Sequence, residues 1–537
     1  MKTEIKALND YFDGAFYLAA NPDVAEANMD PFEHFCSIGW REGRDPSISF
    51  DTKFYLRQYP DIAAAGVNPL LHYLEAGQYE GRKIMPPLRE ERLRVQHALW
   101  SMNYRAKNYE PEIPEEGILS SSRLSKLLSI HLLDAPVILS VSHDDYSVNV
   151  GGVQKLLCLE EAQCHDISWN YLHLSPSCHR LGLATHEPEI PVALSLRLNG
   201  RKLGHVTPAV LLRALQDIGA GHLTVFAVIH HLMGHDPREI ATLVEGMKAV
   251  STIVWTHDFF TLCSGIQLMR NDAVYCHAPA ANSMSCGICS HGGDRPNFMN
   301  EMALFFERVD PIVMAPSQAA ADIWAKHSPY QFKMVLGRPL GRLILEDSRI
   351  PYRSGTKDKP IRVAFLGYRT HLKGWNTFQR LALELKDDPR YEFHHLGMAQ
   401  SVPASGNIIH TPVNSSSQGD EAMVAAAVAR NIDVVINWAL WPETFCYAAY
   451  EALASGAFLI APEGEGNVSA LLRDVGAEQG LLLRDEEELF ALFVSERLSK
   501  LMRISSRRRG YLIPSGDSVS WLARAHSETR AALGGVS

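Results

Sequence analysis

Nine short apolar runs, each separated from the next by a longer amphipathic stretch, constrain this chain most. Four of them lie in "APVILSVSHDD", "HLTVFAVIHH", "STIVWTHD" and "PIVMAPS", ahead of a polar segment, "EDSRIPYRSGTKDKP". Five follow it, in "IRVAFLGY", "YEFHHLGM", "DVVINWAL", "AFLIAPEG" and "GLLLRD". Short apolar runs suit buried strands, and the stretches between them are long enough for crossover helices. Such alternation gives a mostly parallel sheet covered by helices. Two series therefore predict two doubly wound, Rossmann-like α/β domains in tandem, over residues 134–345 and 361–515, with a linker at 346–360 and a helical tail at 516–537. Ligands of such sheets bind beyond the carboxyl ends of the strands. The loops after the runs are where chemistry is expected.

Ahead of the sheets stands an internal repeat. "FDGAFYLAANPDVAEANMDPFEHFCSIGWREGR" from Phe12 returns without a gap as "FDTKFYLRQYPDIAAAGVNPLLHYLEAGQYEGR" from Phe50. Asp30-Pro31 and Asn68-Pro69 are helix-start signals, and Gly39 and Gly77 suit helix ends. Each copy is expected to form two short helices, with the recurring aromatic and histidine residues as a shared core. A small helical domain is expected over 11–85 and a charged connector over 86–133.

A chain of 537 residues exceeds what one core organises. The net charge of -10 weighs against a nucleic-acid partner. The opening "MKTEIKALND" has no apolar stretch for export, and no run approaches the ~18 residues that span a bilayer. Nine cysteines, an odd number, favour thiols or a metal over a disulfide framework, and cytoplasm is the expected compartment.

In the second series, Glu443 and Glu451 stand eight positions apart in "PETFCYAAYEALASG", after the run "DVVINWAL". Amides around Thr444, Phe445 and Cys446 are expected to open a helix and offer an anion site. Glu451 is expected about two turns into that helix, roughly 12 Å along its axis. For an isolated pair, a helix-start charge and a solvated face would be the simpler account. The first loop of the same domain, "FLGYRTHLKGW", adds Gly367, Arg369 and Lys373, with cations suited to a diphosphate leaving group.

These residues resemble the retaining nucleotide-sugar glycosyltransferases of family 4, which have the two-domain GT-B fold. The likeness covers about residues 135–525 and rests on the Glu-x7-Glu pattern with its Ala and Gly followers. It implies that Glu443 touches the donor sugar, that Glu451 holds the nucleotide ribose, and that Arg369 and Lys373 hold the diphosphate. Thr444 and Cys446 stand where the family commonly has glycines. The likeness further implies Gly151 and Gly152 near diphosphate and acceptor, and His257 at a strand end against the donor sugar. A capping or core histidine remains the alternative for His257, and a structural role is at least as fitting for His230 and His231. The implied reaction moves a sugar from a nucleotide-sugar to a hydroxyl of a glycan or lipid-linked glycan, with front-face substitution and no catalytic metal. The N-terminal repeat resembles accessory modules of large bacterial surface-polysaccharide glycosyltransferases. That implies acceptor handling or homo-oligomer formation, and a cytoplasmic enzyme with peripheral contact to the inner membrane face. The alternatives are another GT-B enzyme, a phosphorylase or epimerase, and a non-catalytic scaffold that binds sugar nucleotides. Finally, Cys263, Cys276, Cys286 and Cys289, the last two as "CGIC", are the expected ligands of a structural zinc. Unligated thiols are the alternative.

Overall fold

A computed structural model describes residues 12–47, 50–85, 117–148, 151–178, 182–184, 192–271, 273–353, 355–398, 408–414 and 419–534. The expected connector falls outside the described residues as far as 116. The chain forms two compact units, Met1–Arg105 with Met269–Pro296, and Ala106–Leu268 with Asn297–Ser537.

The first unit holds the repeat. Each copy has three short helices rather than the expected two: Gly14–Ala20, Pro22–Glu26 and Pro31–His34, then Thr52–Gln58, Pro60–Ala65 and Pro69–His72. The break falls at Asn21-Pro22 and at Tyr59-Pro60, because proline lacks the N–H that would continue a helix. Asp13 and Asp51 cap the first helix of each copy through their side chains. A π-helical turn closes each copy, at Phe35–Gly39 and Tyr73–Gly77. Under it, Tyr17 Oη meets His34 Nδ1, and Tyr55 Oη meets His72 Nδ1, both at 2.9 Å. A Cβ on Gly39 would stand 1.9 Å from Tyr17 Oη, which accounts for glycine there. Tyr17, Phe35, Phe50, Tyr55 and Leu70 are fully buried and form one shared core.

The second unit contains both sheets. The first has eight strands, in the order Met334–Gly337, Ile312–Ala315, Ser251–Trp255, Val225–Ile229, Val137–Val141, Asn170–Pro176, Leu194–Leu198 and Arg201–Val206. Its first six are parallel, and the last two extend one edge antiparallel. The second sheet has six parallel strands: Ile409–Pro412, Tyr391–Gly397, Ile361–Leu366, Val434–Ile436, Phe458–Pro462 and Gly480–Leu483. In both, strand order reverses beside the first strand of the series, which opens a crevice at its carboxyl end. Two doubly wound sheets in tandem, following a helical repeat in the chain, are the α/β architecture expected above.

Two antiparallel pairings tie the link between the sheets to the chain that returns from the second. Gly341–Leu345 pairs with Gly510–Pro514, and Ile350–Pro351 with Ser506–Arg507. The helix Ser518–Gly534 then lies on the first sheet's side, with Val519 and Leu522 buried in the core that contains Ile138, Phe226 and Trp255. Among the described residues no helix is long and apolar enough to cross a membrane.

Candidate functional site

The reversal point of the second sheet lies between Ile361–Leu366 and Val434–Ile436. The loop after the first of these strands carries Gly367, Arg369 and the turn His371–Lys373. Gly374 follows in the left-handed region, with φ +83°, and a Cβ there would stand 2.1 Å from the Trp438 carbonyl oxygen. The loop after the second strand, which begins at Asn437 and leads to Glu443, therefore packs backbone to backbone against the first. This contact brings Lys373 Nζ to 3.0 Å from Glu443 Oε1. Glu443 is only 4% exposed, and its Oε2 is buried without a hydrogen-bond partner. The Glu443 charge raises the Lys373 pKa, so the lysine is a firm cation. The Arg369 guanidinium stands over the Trp375 ring, 5.5 Å from its centroid.

The helix after Glu443 starts later than expected. It spans Tyr447–Ala454 with Cys446 as its cap residue, so Glu451 lies little more than one turn in, not two. The delay has a physical cause in long-range bonds. The Cys446 amide donates to Asn467 Oδ1 at 3.2 Å, and that amide is no longer offered to an anion. Asn437 Nδ2 donates to Cys446 Sγ at 3.0 Å, and burial first, then the Glu443 charge, pushes the thiol pKa up. The Thr444 hydroxyl donates to the His257 carbonyl, and the Thr444 carbonyl accepts from Ser317 Oγ at 2.7 Å. Phe445 packs against the cores of both sheets. Thr444 and Phe445 thus fasten the Glu443 loop to the first sheet's domain, while Cys446 is held within the second.

Glu451 is buried, and burial raises its pKa to about 7 although Lys155 opposes the shift. Lys155 comes from the other sheet's domain, from the first turn of the helix Gly152–Asp166 capped by Gly151. Its Nζ lies over the Tyr447 ring at 5.3 Å and pairs with Asp420 at 2.9 Å. A Cβ on Gly152 would stand 3.3 Å from the Tyr447 ring. The starts of the two helices, Gly152 and Tyr447, therefore face each other across the cleft. Lys155 escaped the sequence reading, although a cation in the first turn after paired glycines was a usable signal.

His257 follows the strand Ser251–Trp255 and lies flat on Trp255, with 5.1 Å between ring centroids and 5° between planes. Its Nε2 meets His230 Nδ1 at 3.1 Å. His231 Nδ1 accepts from the Met233 amide at 3.0 Å, so its Nε2 carries the proton and donates to Asp258 Oδ2 at 3.1 Å. His231 is thereby a structural bridge between two loops.

The expected zinc set is not assembled. Among the described residues no group of three or more His, Cys, Asp or Glu side chains is placed to hold a metal ion. Cys263 lies in the second unit, whereas Cys276, Cys286 and Cys289 lie in the first. Cys286 Sγ accepts from Arg295 Nη1 at 2.9 Å, which puts a guanidinium cation where a dication would have to sit. The residues present do not fit the metal.

No family model matches the chain, and no curated protein does. Among solved structures it is similar to a UDP-forming α,α-trehalose-phosphate synthase from Burkholderia vietnamiensis, at 11% identity and a TM-score of 0.38, over 69% of this chain and 91% of that one. It is similar to a glycosyltransferase from Rickettsia africae ESF-5, at 11% identity and a TM-score of 0.39, over 69% and 92% of the two chains. It is also similar to TarM, at 10% identity and a TM-score of 0.36, over 60% of this chain and 57% of TarM.

Proposed function

We propose that this chain is a retaining glycosyltransferase, moving a sugar from a nucleotide-sugar to a hydroxyl of a glycan or lipid-linked glycan. The observation that carries this reading is the Glu443 carboxylate at the reversal point of the second sheet. One oxygen is held by Lys373, and the other is buried and unpartnered. A buried acceptor without a donor is costly, and a sugar hydroxyl supplies the missing donor. Lys373 and Arg369 take the diphosphate, and Glu451 takes the ribose, with Lys155 beside it. Gly151, Gly152 and Gly367 let the ligand come close to backbone. The bond from the anomeric carbon to the diphosphate breaks as the bond to the acceptor oxygen forms on the same face. The acceptor's proton passes to the departing diphosphate, whose charge Lys373 and Arg369 neutralise. The setting proposed is bacterial surface polysaccharide assembly at the inner membrane face, with the helical repeat handling the acceptor or joining copies of the chain.

Lys373→Ala and Arg369→Ala are each expected to lower donor turnover by about 10²–10³-fold. Turnover within about twofold of wild type in both would remove the diphosphate assignment. Calorimetry separates the glutamates. Glu451→Gln should weaken nucleotide diphosphate and donor alike. Glu443→Gln should leave nucleotide diphosphate affinity unchanged and lower donor turnover. Equal weakening of free nucleotide by both variants contradicts the division of roles.

A further inference from the structure

Three side chains, two buried and the third half-buried, form one hydrogen-bonded row. Glu160, on the helix Gly152–Asp166, is fully buried, and His230 after the strand Val225–Ile229 is 1% exposed. Glu160 Oε2 meets His230 Nε2 at 3.0 Å, and His230 Nδ1 meets His257 Nε2 at 3.1 Å. The other oxygen, Oε1, accepts from the Ser518 amide at 2.9 Å. The rings of His230 and His257 are parallel within 6°, and both lie parallel to Trp255.

The direction of the row is set at its Glu160 end. The Ser518 N–H can only donate, which makes Oε1 an acceptor, and we take Oε2 as an acceptor too. His230 Nε2 then carries a proton and donates to Glu160, which leaves the His230 Nδ1 lone pair to accept from His257 Nε2–H. A neutral His257 keeps a bare Nδ1. That atom makes no hydrogen bond among the described residues, and the His257 side chain is only half-buried. Burial first, then His230, His231 and His143, holds the His257 ring well below its usual pKa, which keeps it neutral. The His257 carbonyl accepts from Thr444, the residue after Glu443, so the ring stands beside the candidate sugar pocket.

We propose that Glu160 and His230 are positioning residues that fix the tautomer of His257, so that its Nδ1 faces the cleft as an acceptor for a hydroxyl of the bound sugar. The hydroxyl as ligand rests on the proposed glycosyltransferase reading. The tautomer does not.

Glu160→Gln tests the row. The glutamine oxygen keeps the Ser518 bond, and its amide nitrogen donates to His230, so the row inverts and His257 Nδ1 becomes a donor. In protein carrying ¹⁵N-histidine, with the His257 resonance identified by its loss in His257→Gln, wild type should show a proton on Nε2 and none on Nδ1 near neutral pH. Glu160→Gln should move that proton to Nδ1. A sugar donor should then bind about tenfold more weakly, while nucleotide diphosphate, which has no sugar, should bind as before. A wild-type His257 protonated on Nδ1 overturns the proposal whether or not the variant folds. So does an unchanged tautomer in folded Glu160→Gln. If the tautomers behave as stated but no nucleotide-sugar binds, the row stands and the glycosyltransferase reading falls.

Discussion

Glu451 is nearly excluded from water, and its carboxyl has been raised from 4.5 to about 7, chiefly by burial. Folding therefore favours its protonated form. The stability this gives is complete below pH about 4.5 and is lost as pH rises through about 7, a difference of at most about 3 kcal/mol. Glutamine cannot ionise, so Glu451→Gln should gain stability relative to wild type as pH rises from 4.5 to 8. Thermal denaturation across that range checks it, and parallel curves for the two proteins would contradict the burial argument. Ribose hydroxyls donate best to the ionised carboxylate, so wild-type nucleotide affinity should increase over the same range and that of the variant should stay flatter. The sequence carried the approximate place of both glutamates, since each follows the run "DVVINWAL" at a readable distance. The depth of Glu451 was not legible, because Lys155 and Asp420, which set its surroundings, are remote in the chain. Glu160 was also illegible: in "CLEEAQ" it resembles a solvated helix face, and only His230 and Ser518 make it a buried acceptor.

At the scale of elements, the site depends on two loops touching at Gly374 and Trp438. Alanine at 374 meets two obstacles, a left-handed backbone and a Cβ at 2.1 Å from a carbonyl oxygen. Gly374→Ala is therefore expected to destabilise by more than about 2 kcal/mol, and to weaken nucleotide diphosphate binding by displacing the turn that carries Lys373. Urea unfolding and calorimetry read the two effects, and an unchanged unfolding midpoint would mean that the loops part freely. The nine runs became strands because buried parallel strands are short and apolar, whereas Asn170–Pro176, Leu194–Leu198, Arg201–Val206, Met334–Gly337 and Ile409–Pro412 were not read, their apolar runs being cut short or broken by polar residues. Helix starts were less so. The helix after Glu443 begins at Tyr447 because Asn467, His257 and Ser317 bind the residues before it, and such partners leave no local trace. The extra break in each repeat was legible in Pro22 and Pro60, which end the helix before them whatever the surroundings.

At the scale of the whole molecule, the nucleotide contacts proposed here all lie in the second unit. Its start can be placed from packing. Leu119 donates its amide to the His205 carbonyl, and Leu124 and Leu128 of the helix Ser121–His131 are fully buried. A cut at Ala135 would remove these contacts, whereas a cut before Gly117 keeps them. A chain beginning at Gly117 is expected to bind nucleotide diphosphate with unchanged affinity and to lose activity on its natural acceptor. A folded fragment that fails to bind nucleotide would make the helical repeat part of the site. The helix Ser518–Gly534 carries a different consequence. Val519 and Leu522 fill the first sheet's core, and Ser518 Oγ accepts from Trp255 Nε1 at 2.7 Å. Residues from 518 onward leave the ribosome only after every strand of the second sheet has been made. Until they arrive, the earlier domain has a gap in its core and an indole without its partner. The half that is translated first is thus completed last, and the two sheets mature together rather than in the order of their synthesis.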